Sequence, residues 1–321
     1  MTNPAISVVI CSHNSRKDHL RRTLESIAAQ SLAPEAIDLV VVDNASSSPP
    51  DLAPTPWARL VPEPALGLTN ARLCGFREAR ASLVVMVDDD NVLMPGYLET
   101  ALNLMQQNPG WGTLGGRNEA EYETPPPDWL HRTGIGVLAC RNPGPERLTA
   151  SWADAEWKAR FPWFSPVGAG MVLRREVARQ YIEELRSNPH RPAFDRVGKA
   201  LTSGGDNDIV LTSLAKGWQT AYDPALHLLH LIGTSRLTLE YQARLHRGCN
   251  RSWALLLAMH GISPWPAVAP WTVPLRQARA WWRTKPWTSP ERHIRFHALC
   301  GLFEGRADAH RLLPRRPAIA P

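Results

Sequence analysis

Residues 83–91 read LVVMVDDDN, an apolar run that leads directly into three aspartates. An unbroken apolar run rich in β-branched residues is typical of a strand buried on both faces of a parallel sheet. Ligands of such sheets bind beyond the carboxyl ends of the strands, where Asp88, Asp89 and Asp90 would lie. Three adjacent carboxylates repel one another, so a cation would stabilise them. Carboxylates favour Mg²⁺ or Mn²⁺, which also bind phosphates, so the stretch predicts a metal–phosphate site.

A second interpretation of this stretch is a solvated acidic turn that caps the next helix. Pro95 follows at a position suited to the first turn of a helix. Short acidic clusters also match metal motifs by chance. On these residues alone both interpretations stay open.

The bulk composition is that of a globular protein. The 321 residues are 44% hydrophobic and 21% charged, which suits one large domain or two smaller ones. No apolar run approaches the length of a transmembrane helix, and the N-terminus lacks a signal-peptide pattern. The five cysteines are scattered without a C-x-x-C pair, so neither disulfides nor a zinc site is indicated. A cytoplasmic location is therefore expected.

The charge of the chain is unevenly distributed. From Tyr241 onward, thirteen Lys and Arg stand against three Asp and Glu, so this segment carries +10 and the first 240 residues carry −4. Six of the thirteen tryptophans lie in the same segment. This composition predicts that residues 241–321 contact an anionic membrane surface, at the inner face of the cytoplasmic membrane. A nucleic-acid partner is not expected, because no nucleic-acid-binding signature accompanies the charge. An amphipathic tail that packs on the core is the alternative.

Strand and helix patterns alternate along the first part of the chain. Strands are predicted at residues 6–10, 37–42 and 59–61. The helix pattern after the first strand places four apolar residues on one face: Leu20, Leu24, Ile27 and Ala28. Asn14 or Ser15 is its expected cap, and residues 69–79 form a second predicted helix. This alternation predicts an α/β, doubly wound sheet.

Two of the predicted strands end in an acidic residue, at Asp43 and at Asp88. In a parallel sheet both ends lie on one edge, so a nucleotide is expected there with Asp43 beside its base or ribose. Neither G-x-G-x-x-G nor a Walker lysine motif follows the first strand. A Rossmann dehydrogenase and a P-loop NTPase are therefore disfavoured.

The second part of the chain begins with a proline-rich stretch, residues 112–166, which is predicted to be a binding loop with a short helix at 151–160. Its aromatic side chains either stack on sugar rings or pack in a core. Further on, Asp206 lies at the predicted start of a helix and follows two glycines, which allow close approach of a substrate. Plain N-terminal capping by Asp206 or Asp208 is the alternative. Strands are predicted at 218–222 and 226–231, and helices at 235–260, 275–283 and 291–303.

Six segments in this order resemble the motifs of the family-2 glycosyltransferases. They are SVVICSHN at 7–14, VVDNAS at 41–46, GLTNAR at 67–72, DDD at 88–90, GAGM at 168–171 and GGDND at 204–208. Each alone is a weak signal, whereas the ordered set, over about residues 5–250, is specific. The resemblance implies a GT-A fold, a doubly wound mixed sheet with helices on both faces, over residues 1–235. It divides into a nucleotide-sugar half (1–116) and an acceptor half (117–235), followed by a basic, Trp-rich helical extension (236–321).

The resemblance also implies an activity and a set of residues. The activity is inverting transfer from a nucleoside-diphosphate sugar, expected to be a UDP-sugar, to a glycan or lipid-linked saccharide. Asp206 is the implied general base. The implied nucleotide-sugar contacts are Cys11, Ser12, His13, Asn14, Asp43, Arg72, Asp88 and Asp89. The implied ligands of Mn²⁺ or Mg²⁺ are Asp88, Asp90 and His230. The implied acceptor-side residues are Gly168, Ala169, Gly170 and Asp208.

Two positions depart from the family pattern, and two other functions stay open. His13 stands where the family has Tyr, and Gly205 where it has Glu, so the acceptor contact of that Glu is not expected here. A sugar-nucleotide nucleotidyltransferase has a related fold and metal carboxylates, but it is expected to have a glycine-rich basic loop after the first strand. An inactive glycan- or nucleotide-binding protein of the same fold is the second alternative.

Overall fold

The computed structural model describes residues 3–188, 191, 195–196 and 201–313. These residues fall into two compact units. The first unit is drawn from Met1–Pro125, Leu138–Pro192 and Gly205–Gly233. The second unit is drawn from Pro126–Val137, Ala193–Gly204 and Thr234–Pro321. The proposed division of residues 1–235 into a nucleotide-sugar half and an acceptor half stays a prediction.

Strands and helices alternate through most of the described chain. The strands are β1 Ile6–Ser12, β2 Ile37–Asp43, β3 Arg59–Pro62, β4 Leu83–Asp88, β5 Asn91–Leu93, β6 Trp111–Tyr122, β7 Leu148–Ala150, β8 Val172–Arg174 and β9 Gln219–Ile232. The helices are α1 Lys17–Ala28, α2 Leu68–Glu78, α3 Tyr97–Gln107, α4 Asp128–Thr133, α5 Arg175–Ser187, α6 Gly205–Ala215, α7 Leu239–Met259, α8 Val273–Thr284 and α9 Pro290–Leu312. Short 3₁₀ turns connect several of these elements.

The strands form one mixed sheet in the order β3-β2-β1-β4-β8-β6-β9-β5, and β7 pairs with β9. The four strands from β3 to β4 run parallel, as do β6 and β9, while β8 runs antiparallel to β4 and β6. Helices cross over between β1 and β2 and between β3 and β4, and parallel neighbours need connections of this kind. The predicted α/β architecture with a mixed sheet is confirmed.

Alternate residues of the buried strands pack against opposite layers of helices. Val8 and Ile10 of β1 belong to the apolar cluster that contains Leu24 of α1, whereas Val9 belongs to the cluster that contains Phe76 of α2. Successive side chains of a strand point to opposite faces of a sheet. A strand covered on both faces therefore has no solvent-facing position that favours a polar side chain, which accounts for the apolar run of residues 83–87.

Three local predictions are wrong. Neither Asn14 nor Ser15 caps α1, because Arg16 is the N-cap and makes no capping bond. Asn14 has a φ of 48°, and its N–H donates to Ser46 Oγ at 3.0 Å, so it ties the loop after β1 to the loop after β2. Ala28 is exposed, and residues 151–160 form turns rather than a helix.

In the second unit, α7 and α9 approach each other closely. A Cβ on Gly301 would lie 2.0 Å from the carbonyl oxygen of Arg247, and one on Gly305 would lie 2.2 Å from that of Arg251. A side chain at either glycine would push the two helices apart. None of the helices in the described part of the chain has both the length and the apolar character needed to span a membrane.

A bulge in β9, opposite Gly116 of β6, sets the register between the two strands. Residues 223–226 of β9 lie between the pairs Gly115–Tyr222 and Arg117–His227, which in β6 are separated by Gly116 alone. The pairing shifts between Gly115 and Arg117, and a Cβ on Gly116 would lie 2.0 Å from the carbonyl oxygen of Leu226. Bulges of this kind redirect the side chains that follow them. Beyond this bulge, Ala120 pairs with His230, so the bulge determines which residue of β6 lies beside that histidine.

Gly116→Ala is expected to lower the free energy of unfolding by about 1–3 kcal/mol, because the new methyl group meets a backbone carbonyl that has no room to move. Urea denaturation measures this change. Gly110→Ala is the matched control, since its Cβ would make only an ordinary contact with the Gln219 side chain at 3.6 Å. Equal stability of the two variants would contradict the interpretation.

Candidate functional site

The ends of three parallel strands lie side by side at one edge of the sheet. Cys11 of β1 is paired with Asp88 of β4, and Ser12 is paired with Asp43 of β2. Both acid-ended strands are thus direct neighbours of β1. The structure brings the predicted nucleotide-contacting residues of these strands to a common edge, as expected for a parallel sheet.

The loop after β1 holds an exposed imidazole at this edge. His13 Nδ1 donates to the backbone oxygen of Asn44 at 2.7 Å, and the Asn14 side chain lies 3.1 Å from Nε2. Both His13 and Asn14 are exposed. A ring fixed by its edge and open to solvent presents a face on which a base can stack.

Asn44 is a buried connector that the sequence did not identify as important. Its backbone N–H donates to the Ser12 oxygen at 2.8 Å, which fixes it beside β1. Its side chain donates to the Ala65 oxygen and accepts from the Gly67 N–H, both at 2.8 Å. Asn44 therefore positions the segment that leads into α2 and to Arg72.

The acidic stretch does not cap the next helix. Gly96 is the N-cap of α3 and makes no side-chain capping bond, and β5 lies between the helix and the aspartates. The aspartates instead form a tight turn, in which Asn91 Oδ1 accepts from the Asp88 N–H at 2.9 Å and Asn91 Nδ2 donates to Asp90 Oδ1 at 3.2 Å. Asp88 and Asp89 are partly exposed, whereas Asp90 is buried. The capping interpretation is wrong.

Asp90 meets His230 inside the first unit. His230 Nε2 lies 3.2 Å from Asp90 Oδ1, because β5 and β9 pair with Asn91 opposite His230. The sulfur of Cys140 lies 3.9 Å from the other ring nitrogen of His230. Burial by itself lowers the pKa of His230, but the Asp90 carboxylate overrides this and raises the pKa to about 10.

The Asp90 carboxylate and, once it has lost its ring proton, the His230 imidazole are the two side chains that would hold a divalent cation here. Within the part of the chain that the structure describes, no three His, Cys, Asp or Glu side chains are grouped as metal ligands are, and the ligand set of Asp88, Asp90 and His230 stays a prediction. Mg²⁺ is commonly held by one or two protein carboxylates, with phosphate oxygens and water completing its shell. One carboxylate and one imidazole at the end of an acidic strand suit a cation that arrives with a diphosphate.

Asp206 lies at the first turn of α6, as predicted. Its Oδ2 accepts from the Gly168 N–H at 2.9 Å, and its Oδ1 accepts from the Asn207 N–H at 2.8 Å. The carboxylate is partly exposed. Bonds from these two N–H groups fix the orientation of the carboxylate at the start of the helix.

Gly168 is the point where three parts of the site converge. A Cβ there would lie 2.6 Å from Arg72 Nη2 and 3.6 Å from Asp206 Cβ. Two residues later, the Gly170 N–H donates to the Met86 oxygen at 2.9 Å. The 168–171 segment therefore runs beside the end of β4 and brings Arg72 and Asp206 towards the acidic turn.

A family model described as "Glycosyl transferase family 2" matches residues 7–181. This chain belongs to glycosyltransferase family 2. The matched range contains the strand-end residues, Arg72 and the acidic turn. It ends before Asp206 and His230, so the roles of those two residues rest on the geometry above. Membership favours glycosyl transfer over nucleotidyl transfer, and the mixed α/β sheet with helices on both faces is the GT-A fold expected of the family.

A curated relative of this glycosyltransferase comes from Haloferax volcanii. That protein is named glucosyl-dolichyl phosphate glucuronosyltransferase, and the two chains are 26% identical over 134 residues. The similar region is 40% of each chain. The similarity thus covers less than half of either protein.

Two predicted acceptor-side residues of the glycosyltransferase have structural contacts. Ala169 is buried, and its oxygen accepts from Asn118 Nδ2 at 3.0 Å. Gly170 has a φ of 78°, and a Cβ there would lie 2.6 Å from the Tyr97 hydroxyl. A glycine is needed at this position both for its backbone conformation and for space.

Asp208, the fourth predicted acceptor-side residue, is fully buried. Arg191 donates to both of its carboxylate oxygens, with Nε at 3.0 Å from Oδ2, and also donates to Thr212 Oγ1. Arg191 is 6% exposed. The pair thus explains Asp208 as a buried structural carboxylate, which the sequence did not reveal because Arg191 lies on another segment.

The sequence also missed Arg141, which supports the base candidate. Its guanidinium donates to the backbone oxygens of Trp163 and Ser165 and so holds the chain that leads to Gly168. Burial lowers the pKa of Arg141, and the charge of Asp206 opposes this. No motif marks this arginine, because its partners are backbone atoms.

Asp208→Asn is expected to lower the free energy of unfolding by about 3 kcal/mol, because it removes the negative charge of the fully buried carboxylate to which the buried Arg191 donates. Urea denaturation measures the loss. The exposed Asp51→Asn is the control, with a change within about 0.5 kcal/mol. The double variant Arg191→Met/Asp208→Leu should recover much of the stability. An Asp208→Asn protein as stable as the control would refute the structural role.

Proposed function

We propose that this family-2 glycosyltransferase moves a sugar from a nucleoside-diphosphate sugar, a UDP-sugar in the first instance, to a hydroxyl group of a saccharide, with inversion at the anomeric carbon. The nucleotide lies at the strand ends formed by Cys11, Ser12, Asp43 and Asp88, and the exposed face of His13 stacks on the base. Arg72 binds the diphosphate or the sugar from the side of Gly168.

Asp206 carries this proposal. Its carboxylate is held at a helix N-terminus, is partly open to solvent, and is joined through Gly168 to the segment beside the acidic turn. In this position it accepts the proton of the acceptor hydroxyl as the oxygen attacks the anomeric carbon. The donated N–H bonds fix its orientation, so little rearrangement is needed when the acceptor binds.

Asp90 and His230 are the residues that would hold Mn²⁺ or Mg²⁺, through one carboxylate oxygen and one ring nitrogen. The cation supplies neutralisation of the charge that develops on the leaving diphosphate. Asp88 and Asp89, which are partly exposed at the same turn, face the donor as further acceptors for its hydroxyl groups or for metal-bound water.

The acceptor is a lipid-linked saccharide at a membrane surface. The Haloferax volcanii relative is named for action on a dolichyl phosphate-linked substrate, which supports this class of acceptor. The basic and Trp-rich residues 241–321 support peripheral association with an anionic membrane at its cytoplasmic face.

Chelation by EDTA is expected to abolish release of UDP from the donor, and Mn²⁺ or Mg²⁺ should restore it, because the Asp90–His230 pair would lose its cation. Asp90→Ala should mimic the chelator. A second readout is thermal unfolding, in which Mn²⁺ together with UDP should stabilise the wild type but not this variant. Full activity in EDTA would refute the metal assignment.

Asp206→Asn is expected to lower sugar transfer by about 10²–10⁴-fold, because the amide cannot accept the proton of the hydroxyl. UDP and Mn²⁺ should stabilise the variant as they do the wild type, since binding is not changed. Asp51→Asn is the control. Asp208→Asn is not a suitable control, because loss of the buried pair with Arg191 would destabilise that variant. Sugar transfer by Asp206→Asn at the wild-type rate would show that Asp206 is not the general base.

A further inference from the structure

The second unit contains a groove with six cations on its walls. The groove lies between α8 and α9 and has a volume of about 730 Å³. Its basic residues, all exposed, are Arg276, Arg279, Arg283, Lys285, Arg292 and Arg295. The three arginines of α8 recur at i, i+3 and i+7, which places them on one face of that helix.

None of these six cations has an ion-pair partner among the described residues. From Tyr241 onward the chain has three carboxylates, and each is engaged by an arginine outside the groove. The pairs are Glu291 with Arg132, Glu304 with Arg247, and Asp308 with Arg251. Each of these three described carboxylates is therefore paired outside the groove, and none neutralises one of the six cations by a direct ion pair.

Like charges gathered in one groove repel each other, and an anion removes that repulsion. Arginine is suited to phosphate, because its planar fork donates to two oxygens at once. The volume lies within the usual range of small-ligand sites, about 300–1,000 Å³. Ala280, Leu299 and Phe303 also line the groove, so its polar rim surrounds apolar surface, a combination that suits a phosphate attached to a hydrocarbon group.

Exposed apolar side chains adjoin the basic face of α8. Leu275 is 67% and Trp282 is 73% exposed. Arg279 is four residues after the first and three before the second, and side chains at these spacings are neighbours on a helix. Trp287 is 55% exposed and packs edge-to-face on Trp282 with centroids 6.4 Å apart. Tryptophan is favoured at the level of lipid headgroups.

We propose that the groove between α8 and α9 binds the phosphates of anionic phospholipid headgroups while Leu275 and Trp282 enter the membrane interface. The inference deepens the proposed function, on whose membrane-bound acceptor it rests, by naming the attachment site. Leu275 favours a lipid over a nucleic acid, because an aliphatic side chain has no role in stacking on bases. The groove thus combines the two signals, charge and apolar insertion, that stable peripheral attachment requires.

Co-sedimentation with phosphatidylcholine vesicles, with and without phosphatidylglycerol, tests this site in the full chain. The wild type should bind the vesicles that contain phosphatidylglycerol, and less so as NaCl is raised. The triple variant Arg279→Glu/Arg283→Glu/Arg295→Glu should bind them at least about 100-fold more weakly, since each cation near an anionic surface contributes about 1 kcal/mol. Should charge reversal impair folding, the corresponding Arg→Gln triple variant replaces it.

The matched control is Arg77→Glu/Arg179→Glu/Arg186→Glu. It makes the same change in net charge at exposed arginines of another groove, in the first unit, which also contains Glu78 and Glu183. This variant should keep most of the vesicle binding. An equal loss in both triple variants, or equal binding to neutral vesicles, would overturn the proposal.

Trp282→Ser separates a lipid headgroup from free phosphate. It should weaken vesicle binding and leave thermal stabilisation by inorganic phosphate unchanged. Wild-type vesicle binding by Trp282→Ser would mean that the groove takes phosphate without membrane insertion, and binding of single-stranded RNA more tightly than vesicles would mean a nucleic-acid site. Either result refutes the assignment.

Release of UDP from the donor, measured on the same preparations, distinguishes this inference from the proposed function. The groove variant should retain it, because none of its three arginines belongs to the first unit. A wild type that releases UDP but ignores anionic vesicles would overturn the groove and leave the function standing. Vesicle binding without turnover of any nucleotide sugar would support the groove and overturn the proposed function.

Discussion

The contact between Asp90 and His230 is the constraint on which the candidate site depends. Three aspartates at the end of a buried strand crowd negative charge into one turn, and the imidazole of a distant strand compensates the most buried of them. That contact requires β5 to pair with β9 in one register, and the bulge of β9 opposite Gly116 sets the register of β9 against β6. The negative charge of Asp90 is thus compensated by a residue whose position depends on the strand order and register of the whole sheet.

Two carboxylates of one helix differ in burial, and this difference suits them to different roles. Asp206 and Asp208 lie two residues apart in the first turn of α6. Asp206 is partly exposed and bonded to N–H groups, which leaves a lone pair for a proton, whereas Asp208 is fully buried against Arg191. The first is suited to acid–base chemistry, and the second holds its helix in place.

In the second unit, the presence or absence of an ion-pair partner separates two groups of basic residues. In its paired arginines, such as Arg251 with Asp308, the positive charge is already neutralised by a carboxylate of the neighbouring helix. The six cations between α8 and α9 have no such partners among the described residues. Net charge alone does not separate these two groups, because the difference lies in which arginine each carboxylate reaches.

The sequence by itself determined the parts of this protein that depend on local patterns. Apolar runs predicted β1 to β4 and β9, acidic strand ends indicated the candidate donor site, and helical spacing predicted α6 to α9. Each of these follows from the repeat of a single element and the chemistry of its own residues.

Only the tertiary structure decided which of those residues meet. It paired His230 with Asp90, buried Asp208 against Arg191, and replaced the expected cap at Asn14 by a link between two loops. A side chain's partners come from segments far away along the chain, and their approach depends on packing and register. Those are properties of the folded chain as a whole, which no local pattern records.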